Sequence, residues 1–253
     1  MNVKAVIKIG VFVLMLALLS ACTSNFLLVS RDAWRVSIST PSVYPVSVTQ
    51  AYGVNDEEDW TSLLHNFSQF MRISDFKNIN PRFEGYDGYG LPIADYAMNQ
   101  QGQIAPIKLP PNELYIYWTS LINTKFFVTK YEVPSNVREL MGRKGQYRSW
   151  DGTLEGDCYR TEFVFGLLPD GNAKIYLRGC GEIVFLKDLA ANRILDKDAN
   201  GASAEMYING SVLGGIHKRA ADQGVSLDPI PWDKVNKVYA KEPIISLEEV
   251  LDR

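Results

Sequence analysis

The chain has 253 residues, of which 46% are apolar, 22% charged and 11% aromatic, the proportions of an ordinary globular protein. Its formal net charge of −3 is mildly acidic and excludes a nucleic-acid binder, which would carry a strong basic face. The length suits one domain, or one domain with an appendage.

The first 21 residues read as a signal peptide. Lys4 and Lys8 supply a positive start, and the apolar run Ile9 to Leu19 follows. That run is about 11 residues, too short for a hydrocarbon core that needs about 20. Leu19-Ser20-Ala21-Cys22 then resembles the lipobox of bacterial lipoproteins, in which the Cys thiol receives a diacylglyceryl group and becomes the first residue of the mature chain. Cys22 is the expected lipidation site. More than one acyl chain anchors stably where a single chain holds only marginally. Thr23 and Ser24 follow the Cys; the absence of Asp there points to the outer membrane, facing the periplasm. Residues 22–31 form the lipidated tether, and 32–253 the periplasmic domain. Losing Lys4 and Lys8 leaves 24 basic against 29 acidic residues, a charge of −5. That balance gives no general attraction to an anionic surface, so the lipid alone is expected to anchor the chain. No cofactor is expected.

Trp34 to Ser39 alternates apolar and polar residues at strand period, and Pro41 ends it. Val43 to Thr49 is extended again, and Pro45 predicts an edge position. From Asp56 to Met71 the apolar residues Trp60, Leu63, Leu64, Phe67, Phe70 and Met71 recur at three and four, which predicts a helix with acidic residues at its N-terminus. A Gly-, Pro- and Asn-rich loop spans Asn78 to Gly90. Leu114–Thr119 and Lys125–Val133, aromatic and β-branched, read as strands joined by Leu121–Thr124. Pro134 starts a helix over Ser135–Met141, with Ser135 its expected cap. Thr161–Leu168 and Ala173–Gly179 flank the hairpin signal Pro169-Asp170-Gly171-Asn172. Val184 to Ile194 reads as strand then helix, 196–204 as a polar turn, and Val212–Asp222 and Trp232–Ala240 as short helices. The fold class is α+β: a single domain dominated by antiparallel strands, with a few short helices on one side.

Leu109-Pro110-Pro111-Asn112-Glu113-Leu114, leading into the aromatic strand that ends Trp118-Thr119-Ser120, resembles the core of a family of uncharacterised Gram-negative lipoproteins. Tyr44-Pro45-Val46, Phe126-Phe127 and the Gly166 to Leu177 hairpin fall in the same order, so the resemblance covers about residues 34–190. It implies no assigned activity or site residue. Some members appear beside genes for type VI secretion lipase effectors, which implies periplasmic immunity proteins and a secreted effector as the partner. The alternative is a structural or accessory outer-membrane lipoprotein with no toxin partner.

No catalytic constellation supports a hydrolase, and the chain is expected not to be an enzyme. The two histidines, His65 and His217, are far apart in sequence, and neither a G-x-S-x-G elbow nor an H-E-x-x-H motif occurs. Asp196, Asp198 and Asn200, followed by Gly201, match the first half of a calcium loop, but its twelfth position is Tyr207 rather than Glu. The same residues are ordinary turn vocabulary. In Gly85-Tyr86-Asp87-Gly88-Tyr89-Gly90, Tyr86 and Tyr89 could present rigid rings to a partner or a sugar, or pack down on the sheet.

With Cys22 taken by lipid, Cys158 and Cys180 remain in an oxidising compartment and are expected to form a disulfide. Pairing Phe163 with Ile175 and Thr161 with Leu177 would set the two cysteines opposite each other across a Leu167–Gly171 loop. A register shifted by four residues would need a bulge.

Overall fold

The computed structural model describes residues 33–64, 67–69, 79–222, 224–226 and 228–253. The signal segment, Cys22, the tether and His65 lie outside them. In chain order the strands are β1 (Arg35–Ser39), β2 (Val46–Asn55), β3 (Trp60–Leu63), β4 (Phe67–Gln69), β5 (Leu91–Ile93), β6 (Asn99–Gln101), β7 (Glu113–Ser120) and β8 (Lys125–Glu132). After helix α1 (Ser135–Gly142) come β9 (Gly145–Arg148), β10 (Leu154–Cys158), β11 (Arg160–Leu167), β12 (Ala173–Gly179), β13 (Glu182–Leu189) and β14 (Arg193–Leu195). Helices α2 (Ala204–Ile208), α3 (Ser211–Asp222) and α4 (Trp232–Val235) precede β15 (Val238–Ala240), β16 (Ile244–Ser246) and α5 (Leu247–Leu251). Strands dominate, as the α+β reading expects.

Two sheets enclose the main core. One runs β16-β13-β12-β11-β1-β6, with parallel pairs at β1–β11 and β13–β16. The other runs β14-β8-β7-β2-β3 and is antiparallel throughout, with β4 also on β2. Val36, Phe163, Phe165 and Ile175 from the first share one buried cluster with Val48, Ile116, Trp118 and Phe127 from the second. Each such side chain contributes roughly 1.5–3 kcal/mol by leaving water. Helix α1 adds Val137, Leu140 and Met141 to the cluster. Its first turn is preceded by Pro134 with no side-chain cap, so the expected Ser135 cap is not used.

The first sheet is covered on both faces. All eight β11 residues are buried. Ile93 and Met98 pack on Val164, Tyr176 and Ile183 on the face away from the main core. The serines of β1 that read as solvent-facing are therefore inside: Ser37 donates to Glu162 Oε1 at 2.5 Å and Ser39 to the Pro92 carbonyl at 2.9 Å. A second cluster, with Tyr44, Leu91, Leu121, Leu213, Ile216 and Val235, lies under α3 and α4.

The structure corrects several expectations. Strand β2 is central, between β7 and β3/β4, and Pro45 merely precedes it. Where a helix was expected over 56–71, the described residues 56–64 and 67–69 form instead a turn followed by β3 and β4. Asp59 takes φ +50, and the Asn55 side chain accepts from Glu58 N at 3.0 Å, so the acidic run closes a hairpin. The helix expected after Val184 is replaced by β14, and the one expected over Trp232–Ala240 ends at Val235 and gives way to β15. Strands β11 and β12 pair Phe163 with Leu177 and Phe165 with Ile175, midway between the two registers considered. The loop is Leu168–Asn172, closed by Leu168 N to Asn172 O (2.9 Å) and Gly171 N to Leu168 O (3.0 Å).

Candidate functional site

The disulfide forms. Cys158 and Cys180 are bonded with Cα atoms 5.3 Å apart. They do not face each other along the β11–β12 ladder: Cys158 ends β10, Cys180 sits in the turn after β12, and a bulge between Arg160 and Glu162 takes up the offset. The bond thus ties the β9–β10 hairpin to the β12–β13 turn.

That hairpin carries the most exposed large apolar side chain described. Trp150, at its tip, is 98% exposed; Leu154 and Tyr147 are 54% and 43% exposed. The turn is built by Ser149 N to Thr153 O (2.8 Å) and Gly152 N to Ser149 O (2.9 Å). The ladder is held as firmly, from its root at the Gly145–Cys158 pair to the Arg148–Leu154 pair beside the turn. Arg148 N donates to Cys180 O at 3.0 Å, and a Cβ at Gly181 (φ +74) would lie 2.0 Å from the Arg148 carbonyl, so only glycine admits this approach. Beside the root lies a cleft of about 490 Å³ lined by Arg143, Lys144, Arg148, Arg160 and Arg253 against Asp157 and Glu182. Glu182 binds Arg160 and Arg253, and Lys144 pairs with Asp157 at 2.6 Å. Arg143 and Arg148 have no ion pair among the described residues.

The Gly-rich loop is scaffold rather than tip. Tyr86 is only 2% exposed. Its hydroxyl lies 2.5 Å from Ser42 Oγ, its ring packs on Tyr239 (5.0 Å) and Phe83 (6.1 Å), and burial pushes its pKa up to about 12. Tyr89 is half-buried between the Tyr44 ring (6.0 Å) and the Lys234 ammonium (4.9 Å).

The Asp196–Gly201 segment is closed by Asp198. Its Oδ1 accepts from Asn200 N (2.9 Å) and Ala202 N (2.7 Å), and its Oδ2 accepts from the Tyr207 hydroxyl (2.8 Å). Tyr207, the residue that breaks the calcium pattern, is therefore the one that fastens the turn. Asp196 and Asn200 are exposed. Among the described residues, no group of three or more His, Cys, Asp or Glu side chains is placed to hold a metal ion.

Around this turn lies an apolar surface that the sequence did not single out. A hollow of about 410 Å³ is lined by Leu121, Ala202, Met206, Tyr207 and Leu213 along with Asp198 and Asn200. A second, of about 400 Å³, is more polar: Thr49, Gln50 and again Asn200 line it beside Leu63, Leu64 and Ile104. Met206 (63%), Ile104 (58%) and Leu63 (48%) are exposed at their rims. Ile194 and Ile208, on neighbouring β14 and α2, are 70% and 60% exposed. The only signal in the sequence is the run Glu205-Met206-Tyr207-Ile208, too short to show which side faces water.

Titratable groups elsewhere serve structure. Buried Glu162 accepts from Ser37, Gln100 (3.1 Å), Arg35 (3.2 Å) and Arg178 (3.1 Å). Arg178 also binds Glu242 and Asp95, and that hydrogen bond holds the Asp95 carboxyl below its usual range. His217 Nε2 lies 3.2 Å from the Ile122 carbonyl. No helix of the described residues is long and apolar enough to cross a membrane. A family model described as "protein of unknown function (DUF2931)" matches residues 23–233. No curated protein matches the chain, and no solved structure does.

Proposed function

The chain belongs to the DUF2931 family, and we propose that it is a non-catalytic, lipid-anchored envelope protein that binds a protein partner, a secreted lipase effector. One observation carries the binding reading: Leu63, Ile104 and Met206 stand exposed around two hollows that meet at Asn200. Scattered apolar side chains are normal on a soluble surface, whereas a contiguous apolar patch beside a concavity favours an interface. The hollow lined by Met206 and Leu213 has little polar chemistry to offer, which suits side chains of a partner better than a reacting substrate. Anchoring is supported by the lipobox at Leu19–Cys22. The lipase effector comes from the resemblance to lipoproteins beside such genes.

Growth of cells poisoned by lipase effectors of the host's own type VI system tests the reading. Co-expression of the lipoprotein should restore growth. Ile104→Asp with Met206→Asp should weaken protection at least about tenfold, equivalent to about 1.4 kcal/mol of binding, with the variant still in the membrane fraction. Unchanged protection would contradict a partner surface at these hollows. Ester hydrolysis by the purified protein, abolished by one substitution, would contradict the non-catalytic reading.

A further inference from the structure

The direction of β1 places the start of that strand and the Trp150 hairpin at one end of the sheet. Strand β1 runs parallel to β11, with Arg35 opposite Glu162. Strand β11 begins at Arg160, two residues after Cys158 ends the hairpin. The chain preceding Arg35 therefore enters the sheet at the same end from which the hairpin projects. The thirteen residue steps from Cys22 to Arg35 reach at most about 45 Å, so lipid on Cys22 keeps this end of the protein close to a bilayer.

The hairpin has the chemistry of that boundary. Trp and Tyr concentrate where an apolar ring can enter the acyl region while its polar edge stays among headgroups. Trp150 stands clear of the protein at the tip, with Leu154 beside it and Tyr147 on the other face of the ribbon. Behind them the cleft is lined by five basic side chains against two acidic ones, in a chain whose formal charge is −3. Among the described residues, Arg143 and Arg148 have no carboxylate partner, which leaves their guanidinium groups in the form that binds phosphate. The overall acidity gives no general attraction to an anionic surface, whereas this cleft gathers basic groups at one place.

We propose that the β9–β10 hairpin is a second membrane contact: Trp150 and Leu154 insert at the headgroup boundary, and Arg143 and Arg148 bind lipid phosphates. The disulfide, the Arg148–Cys180 hydrogen bond and the close approach at Gly181 set the hairpin at a fixed angle. Insertion therefore orients the whole protein on the bilayer, which attachment at one point would not do. The inference rests on the lipoprotein reading of Cys22.

Full-length lipoprotein in phosphatidylethanolamine–phosphatidylglycerol vesicles containing brominated lipid provides the test. Of the chain's five tryptophans, Trp34 and Trp118 are buried and Trp150 is open. Brominated lipid should quench part of the emission, and Trp150→Phe should remove that part without moving the melting temperature. Arg143→Ser with Arg148→Ser should reduce the quenching about fivefold or more, and only when phosphatidylglycerol is present. An anchored protein whose Trp150 stays open to aqueous iodide and is untouched by brominated lipid would overturn the inference and leave the lipoprotein reading intact. Trp150 shielded only on adding a protein partner would overturn it in favour of a protein interface. A chain whose intact mass carries no lipid would overturn both.

Discussion

Cys180 takes φ +59, a backbone conformation few L residues hold, in the turn that delivers its sulfur to Cys158. The pairing was legible from the cysteine count, but the register was not. Several ladders place Phe163, Phe165, Ile175 and Leu177 on one face, and the bulge at Arg160–Glu162 depends on contacts outside the hairpin. Closing this loop restricts the unfolded chain and should contribute about 3 kcal/mol. Cys158→Ser should lose that much in urea unfolding, and reductant should cost the native protein the same; a native protein indifferent to reductant would contradict it. Asp95 supplies a smaller, pH-dependent term. Its carboxyl is held below the usual range, so its stabilisation is present above the unfolded pKa of about 4 and is lost as pH falls through the folded value. The side chain is 73% exposed, which limits the contribution to less than about 1 kcal/mol. The gap in melting temperature between native protein and Asp95→Asn should therefore narrow from about pH 5 to about pH 3; a constant gap would rule out the ion pair as its source.

At the scale of elements, legibility followed local period. The strands Glu113–Ser120 and Lys125–Glu132 were plain because branched and aromatic residues filled both faces of a long pair. The stretch after Asn55 misled because Trp60, Leu63, Leu64 and Phe67 fit a helical spacing, yet long-range pairing decides them. Trp60 stacks on Trp34 at 6.3 Å, and Leu63 pairs with Tyr52. The Asp198 turn shows the same limit in reverse: its composition permits an ion, while its hydrogen bonds close it without one. Tyr207→Phe should remove the bond to Asp198 and cost about 1 kcal/mol. Calcium or a chelator should leave the melting temperature of the native protein unmoved; a rise with calcium that Asp198→Asn abolishes would restore the metal reading.

For the whole molecule, what the sequence hid was which apolar residues stay outside. Leu63, Ile104, Ile194, Met206 and Ile208 look like core candidates in a string of letters, and only the packing of the sheets and helices leaves them exposed. Trp150, in a Ser-Trp-Asp-Gly turn, is hidden in the same way: nothing local tells a tip from a lid. The expected lipidation at Cys22 is a reading of another kind, because a lipobox is a short linear motif. The surfaces were not legible, because they join β3, the segment around Ile104, and α2, which lie far apart in the chain.

A photo-crosslinking residue placed at Met206 in the full-length chain, in living cells of its host, tests the proposed partner surface directly. The account predicts an adduct with a secreted lipase effector from Met206, and lipid adducts from the same residue placed at Trp150. No protein adduct at Met206, or an effector adduct formed at Trp150 alone, would contradict it.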